Sequence, residues 1–171
     1  HRYFLIGTGL NSLIFYMIIK NILLEKEKEE IVSYWDKYTN KKKDHQAKGT
    51  LAARQVSFLS TYHNRIKLIL EKETGFRLSE QFNAIRLYKK GDKLEKHIDN
   101  AAPFAITIVV KQSDLKHNPL VFYFDNPQTI ILQEGDGYYF KGMEIPHERL
   151  EVQSDYLLHI YFGYNIHDKL I

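Results

Sequence analysis

The sequence predicts a mainly β protein with N-terminal helices (α+β), in which short strands close into a sandwich or barrel and helices cover one outer face. Three observations carry this. From residue 82 onward, β-rich runs alternate with turn punctuation about every ten residues. Upstream of that point, apolar residues recur at helical spacing. Aromatic residues make up 13% of the chain, nearly all Tyr and Phe, which suit a pleated, half-buried surface.

Residues 3–19, YFLIGTGLNSLIFYMII, are the most apolar stretch. They would barely span a bilayer, and Gly7, Thr8, Gly9, Asn11 and Ser12 dilute their first half. A basic lead-in and a small-residue cleavage site are both missing. A buried helix or strand is expected, with residues 3–24 packed on the barrel and no membrane anchor. Residues 21–38 read as a charged helix whose Ile22, Leu23, Leu24, Ile31, Val32 and Trp35 face the core. Residues 39–50, with Lys41, Lys42 and Lys43, read as a solvated loop. Val56, Leu59, Ile66, Ile69 and Leu70 fit a second helix that stops at Thr74-Gly75.

Strands are expected over 82–88, 104–111, 120–124, 129–132, 137–140 and 156–162, with two more flanking Ile98 and Arg149. Lys90-Gly91-Asp92, Asn118-Pro119, Asp125-Asn126-Pro127 and Glu134-Gly135-Asp136-Gly137 separate them. No repeat or low-complexity segment divides the chain. A single domain over 1–171 is expected, with a helical support region at 1–80 and the β core at 81–171.

A net charge of +3, from 24 basic and 21 acidic side chains, argues against a nucleic-acid partner. The chain has no cysteine, which excludes disulfides, thiolate zinc sites, iron–sulfur clusters and cysteine nucleophiles. Any metal must be held by His, Asp or Glu. There is no Gly-x-Ser-x-Gly elbow and no phosphate-cradling glycine loop. A cytoplasmic location is expected.

The chemistry concentrates at His97, Asp99 and His147. In a strand, residues i and i+2 share a face, so His97 and Asp99 converge while Ile98 points away. His147 follows 48 residues after Asp99, beyond a Gly-Asp-Gly turn and an aromatic strand. Two histidines and one carboxylate can occupy one face of an octahedral Fe(II), leaving the other face open.

Here RLYKKGDKLEKHIDN resembles the Tyr-x-x-Gly-(x)5-His-x-Asp signature of the Fe(II)/2-oxoglutarate dioxygenases of the prolyl 4-hydroxylase type. The segments HNRIKLILEKETGFRLSEQF and ILQEGDGYYFKGMEIPH resemble that family's helix–turn–strand and its approach to the distal His. The similarity covers roughly residues 54–163. It implies a double-stranded β-helix, or jelly roll, with supporting helices on one face. It implies Fe(II) on His97, Asp99 and His147, and 2-oxoglutarate as co-substrate, decarboxylated to succinate. Ascorbate is the reductant expected in assays. The implied substrate is a prolyl-like residue in a peptide, or a small amino-acid-like molecule.

The family usually places an Arg or Lys nine or ten positions after the distal His, on the far carboxylate of 2-oxoglutarate. Here those positions are Tyr156 and Leu157. Four residues are candidates to replace it: Lys111 first, by analogy with a strand lysine of the asparaginyl hydroxylases, then Arg149, Arg86 and His159. Tyr88 matches the family's tyrosine that donates to the co-substrate, and Thr107 and Tyr139 are expected near the pocket. His45, His63, His117 and His167 are expected to be structural or solvated. Two alternatives stay open: an inactive jelly-roll binding module, and a cupin-type metalloenzyme that does not use 2-oxoglutarate.

Overall fold

The structure, a computed structural model, describes residues 16–47, 49–114 and 118–170. In chain order the elements are β1 (Met17–Ile19), α1 (Glu25–Lys37), β2 (Lys42–Lys43), β3 (Leu51–Arg54), a 3-10 turn (Ser57–Leu59), α2 (Ser60–Thr74), β4 (Phe76–Tyr88), β5 (Leu94–His97), β6 (Phe104–Gln112), β7 (Leu120–Phe122), β8 (Gln128–Ile130), β9 (Gly137–Phe140), β10 (His147–Arg149) and β11 (Leu157–Lys169). All pairings are antiparallel. A seven-stranded sheet runs β1-β9-β6-β11-β4-β3-β2, and a four-stranded sheet runs β5-β10-β7-β8. This is the double-stranded β-helix.

Strand alternation sorts the core into two layers. On β6, Ile106, Ile108 and Val110 face the helices, while Ala105 and Val109 face the barrel interior. Both faces are covered, which is why AITIVV, with Thr107 its one polar residue, reads as an apolar run rather than alternating. The outer layer packs Ile31 and Trp35 of α1, and Ile66 and Leu70 of α2, onto the large sheet. Each pair is four residues apart and so shares one helix face. The inner layer joins Tyr88, Val109 and Leu157 to Phe122 and Phe140.

The helices begin and end where local chemistry dictates. The Leu24 N–H donates to Glu27 Oε2 at 2.8 Å, and Glu25 and Glu27 sit in the first turn of α1, where the helix dipole favours anions. At the end of α2, Gly75 takes φ 72°, and its N–H closes on Glu71 O at 2.9 Å.

The first eighty residues hold more than helices. β1 pairs with β9 at the sheet edge, and Ile22 and Leu23 behind it are buried, so residues 17–23 pack on the barrel as expected. Residues 3–15 lie outside the described residues. β2, inside the segment expected to be a solvated loop, pairs with β3, and β3 adds to β4 just ahead of the second helix. Four residues are too short for a strand period to show. β4 and β11 pair from Phe76 and Lys169 inward, longer than expected, because their outer turns are polar. No helix among the described residues is long and apolar enough to cross a membrane.

Candidate metal and co-substrate site

Two strands of the small sheet bring the candidate ligands together. β10 pairs with β5 so that His147 stands opposite His97, with ring centroids 4.4 Å apart. Asp99 lies just past β5, where its N–H donates to Gly142 O at 2.9 Å. Asp99 Oδ1 is 3.6 Å from His97 Nε2 and 3.8 Å from His147 Nε2. The three ligand atoms lie within 4.8 Å of one another. Such separations suit an ion held at about 2.0–2.2 Å by each atom.

The backbone keys both imidazoles. His97 Nδ1 lies 2.8 Å from Glu95 O, and His147 Nδ1 lies 2.9 Å from Ile145 O. A carbonyl only accepts, so each Nδ1 carries the proton and each Nε2 keeps its lone pair toward Asp99. Burial alone would push the His97 pKa down; Asp99 and the Glu95 carbonyl overcome it and raise it. Burial holds His147 below its usual value against the pull of Asp99. Three electron-pair donors aimed at one point fit a divalent cation.

Farther into the barrel, a second set of polar groups converges. Arg149 is two residues past His147 on β10 and is 1% exposed. Its Nη1 donates to Asn118 O at 3.0 Å, while Nε and Nη2 have no hydrogen-bond partner among the described residues. Its guanidinium lies 5.1 Å from the Tyr88 ring centroid. Burial lowers the Arg149 pKa, with Tyr88 opposing. From the facing sheet, His159 Nδ1 meets Thr107 Oγ1 at 3.0 Å, and its Nε2 is also unpartnered. Burial keeps this imidazole neutral, with Arg149 and Arg86 nearby adding to the effect. The Thr107 hydroxyl can donate to Nδ1, and in that tautomer Nε2 carries the ring proton. Arg86 Nη1 donates to the Tyr88 hydroxyl oxygen at 3.1 Å, which leaves the Tyr88 proton free to donate elsewhere.

A buried guanidinium with unmade hydrogen bonds costs several kcal/mol, about as much as other uncompensated buried charges. An anion at this position would relieve it. The carboxylate of a small dicarboxylate matches the donors present: Arg149 Nε and Nη2, His159 Nε2 and the Tyr88 hydroxyl. The residues fit both groups that the sequence implied, a divalent metal and 2-oxoglutarate. The triad, Tyr88, Arg149 and His159 line one cavity of about 230 Å³.

The structure corrects two expectations. By simple alternation Lys111 shares the inward face of Thr107 and Val109. A β-bulge breaks that count: His159 pairs with Val109, but the next residue, Leu158, pairs with Lys111. Lys111 is thereby turned to the helix side, 51% exposed, and meets Glu134 at 3.4 Å. It lines no part of the site. Tyr139 likewise faces the helices, in the outer core layer. Thr107 lines the cavity as expected. His63 is buried, and His117 lies outside the described residues.

Sequence reasoning missed the cavity's mouth. Residues 44–47 border it: Asp44 and Ala47 are buried, and His45 and Gln46 are part of its lining. The Asp44 side chain is fully buried between Arg86, at 2.8 Å, and Arg54, at 3.2 Å. Burial would raise its pKa; Arg86, the Gln46 N–H and Arg54 win and lower it. His45, Gln46 and Arg54 line the opening. A lone acid after three lysines gave no signal of this, because its partners lie 10 and 42 residues away. Tyr161 was missed as well; its hydroxyl donates to Asp99 Oδ2 at 2.7 Å.

No sequence-family profile matches the chain, and neither does any curated protein. Solved structures do. A prolyl-4-hydroxylase from Pseudomonas putida superposes with a TM-score of 0.70 at 12% identity, covering 90% of this chain and 94% of that one. A 2OG-Fe(II) oxygenase family oxidoreductase from Burkholderia pseudomallei gives 0.74 at 12% identity, covering 91% and 86%. HygX from Streptomyces hygroscopicus, solved with nickel and 2-oxoglutarate bound, gives 0.70 at 11% identity, covering 90% and 83%. The fold is therefore that of the Fe(II)/2-oxoglutarate oxygenases, prolyl 4-hydroxylases among them.

Proposed function

We propose that this chain is an Fe(II)- and 2-oxoglutarate-dependent oxygenase that hydroxylates an unactivated C–H bond, in a prolyl-like residue of a peptide or in a small amino-acid-like molecule. One observation carries the proposal: a His–Asp–His triad and a buried Arg149 with two unpartnered guanidinium nitrogens share one cavity. His97, Asp99 and His147 would hold the metal on one face, with the opposite face open. Arg149, Tyr88 and His159 would take the far carboxylate of the co-substrate. When bound, iron and 2-oxoglutarate supply oxidative decarboxylation by dioxygen, giving succinate and carbon dioxide.

The chain's own residues do the positioning. Leu157, where the family's usual cation would stand, is an inner-core residue paired with Tyr88 across β11 and β4. Arg149 reaches the same region from the opposite sheet, and this replacement is what supports 2-oxoglutarate over the two alternatives. Arg86, anchored on Asp44, orients the Tyr88 hydroxyl. Phe122 and Phe140 pack beside His147 and keep water from that side.

The test is succinate and carbon dioxide release from 2-oxoglutarate by the Fe(II)-loaded protein with ascorbate. Release above the level of Asp99→Ala is expected. None from a folded, iron-loaded protein that binds 2-oxoglutarate would overturn the proposal.

A further inference from the structure

The ionised side chains lining the cavity do not balance. Arg54, Arg86, Arg149 and Asp99 line it, and Asp44, behind the wall, is paired with Arg54 and Arg86, so three positive charges stand against two negative ones. A divalent metal and a doubly charged co-substrate cancel each other, so loading the site leaves one guanidinium in excess. Arg149 is the inner one and faces the co-substrate end. Arg86 is held by Asp44 through Nε and Nη2, both at 2.8 Å. Arg54 is the remaining one. It has a single nitrogen, Nη2, on the shared Asp44, at 3.2 and 3.4 Å, and on Gln46 Oε1, at 3.0 Å. Its side chain is 34% exposed at the cavity mouth.

A continuous wall links Arg54 to the triad. Its guanidinium lies 5.7 Å from the Phe82 ring centroid. Phe82 meets Tyr161 edge-on at 5.8 Å, and Tyr161 bonds Asp99. A molecule lying on this aromatic wall would have a cation at one end and the metal's open face at the other. Gln46 adds donors at the cationic end: its Oε1 is taken by both arginines, which leaves its NH2 free to donate.

We propose that Arg54 and Gln46 dock a single carboxylate of a small substrate, whose apolar body lies on Phe82 and Tyr161. This rests on the oxygenase proposal and narrows it to a free monocarboxylate with a compact body. The cavity's size supports the small molecule. At about 230 Å³ it falls below the roughly 300–1,000 Å³ of pockets for drug-sized ligands, and it must also hold the co-substrate. The surplus charge of one supports one carboxylate.

Ligand-observed NMR on full-length protein loaded with Zn(II) and 2-oxoglutarate tests this without turnover. The probes are the N-acetyl derivatives of the apolar L-amino acids, each a monocarboxylate without an ammonium group, and the same compounds as C-terminal amides. Binding of 2-oxoglutarate itself is measured first; its failure would fall on the oxygenase proposal, not on this one. With it bound, at least one free acid should bind, and its amide should bind at least ten-fold more weakly. Arg54→Gln should weaken that acid ten- to a hundred-fold, and Arg54→Lys should recover part of the loss, with circular dichroism and 2-oxoglutarate affinity checking the fold. Amides that bind as well as acids, no acid that binds, or an Arg54→Gln protein that keeps full acid affinity would each overturn the assignment.

Discussion

Tyr161 donates its hydroxyl to Asp99 Oδ2 at 2.7 Å, and so decides which carboxylate oxygen is left for a metal. Oδ1 is the atom that faces both histidines. Burial, then Asp99, raises the Tyr161 pKa well above the usual phenol value, so the hydroxyl stays a donor. Groups that orient a metal ligand in this way contribute about 10–100-fold to metal affinity. Tyr161→Phe should weaken Fe(II) or Ni(II) binding by that factor in a calorimetric titration, with little change in melting temperature. Unchanged affinity would remove Tyr161 from the site.

Gly142 lies against the same carboxylate. Its carbonyl accepts the Asp99 N–H, and a Cβ built on it would collide with Asp99 Oδ2. Gly142→Ala should therefore push Asp99 off the histidines and abolish stoichiometric metal binding. Retention of one metal per chain at wild-type affinity would contradict this.

Lys111 and Arg149 should behave oppositely. Arg149→Met removes two buried, unpaired donors, and charge-assisted bonds are worth about 1.5–3 kcal/mol each. It should weaken 2-oxoglutarate binding by ten- to a hundred-fold or more, at about 1.4 kcal/mol per decade. Lys111→Ala should leave that affinity unchanged, since it breaks only an exposed ion pair with Glu134. A loss in Lys111→Ala equal to that in Arg149→Met would reverse the assignment.

The fold should lose stability in acid through His63. This imidazole is buried between α2 and β11, stacked 4.6 Å from Phe162, and its Nε2 lies 3.2 Å from Gly163 O. Burial lowers its pKa to about 4; the Gly163 carbonyl opposes this and Lys67 adds to it. The unfolded chain takes up a proton near pH 6.5, before the folded one does. The stability is therefore fully present above about pH 6.5, falls as pH drops to about 4, and changes no further below that. The loss is on the order of 3 kcal/mol, at about 1.4 kcal/mol per pH unit over that window. Urea unfolding across this window should show the slope in wild type and lack it in His63→Gln.

Much of this was legible in the sequence, and the rest was hidden for identifiable reasons. His97 and Asp99 could be read because they are two residues apart, and His147, 48 residues on, because the turn and aromatic strand before it resemble the family's approach to its distal His. Arg149 stood out as a candidate because it is two residues from His147. Choosing it over Lys111 required the bulge between Val109 and Lys111, which alternation cannot reveal. The mouth was invisible because Asp44, Arg54 and Arg86 meet only through tertiary pairing, on a segment whose lysines read as solvated. Tyr161 lies 62 residues from Asp99 and reads as one more aromatic on a core strand.

The central claim is that the triad and Arg149 together receive a metal and 2-oxoglutarate. Anaerobic titration of 2-oxoglutarate into the Fe(II)-loaded protein, followed by the visible charge-transfer absorption of an iron–keto-acid chelate, tests it most directly. The expected result is one saturable band per chain, absent in Asp99→Ala and needing ten- to a hundred-fold more 2-oxoglutarate in Arg149→Met. A protein that binds one iron and shows no band, or an Arg149→Met titration that overlays wild type, would contradict it.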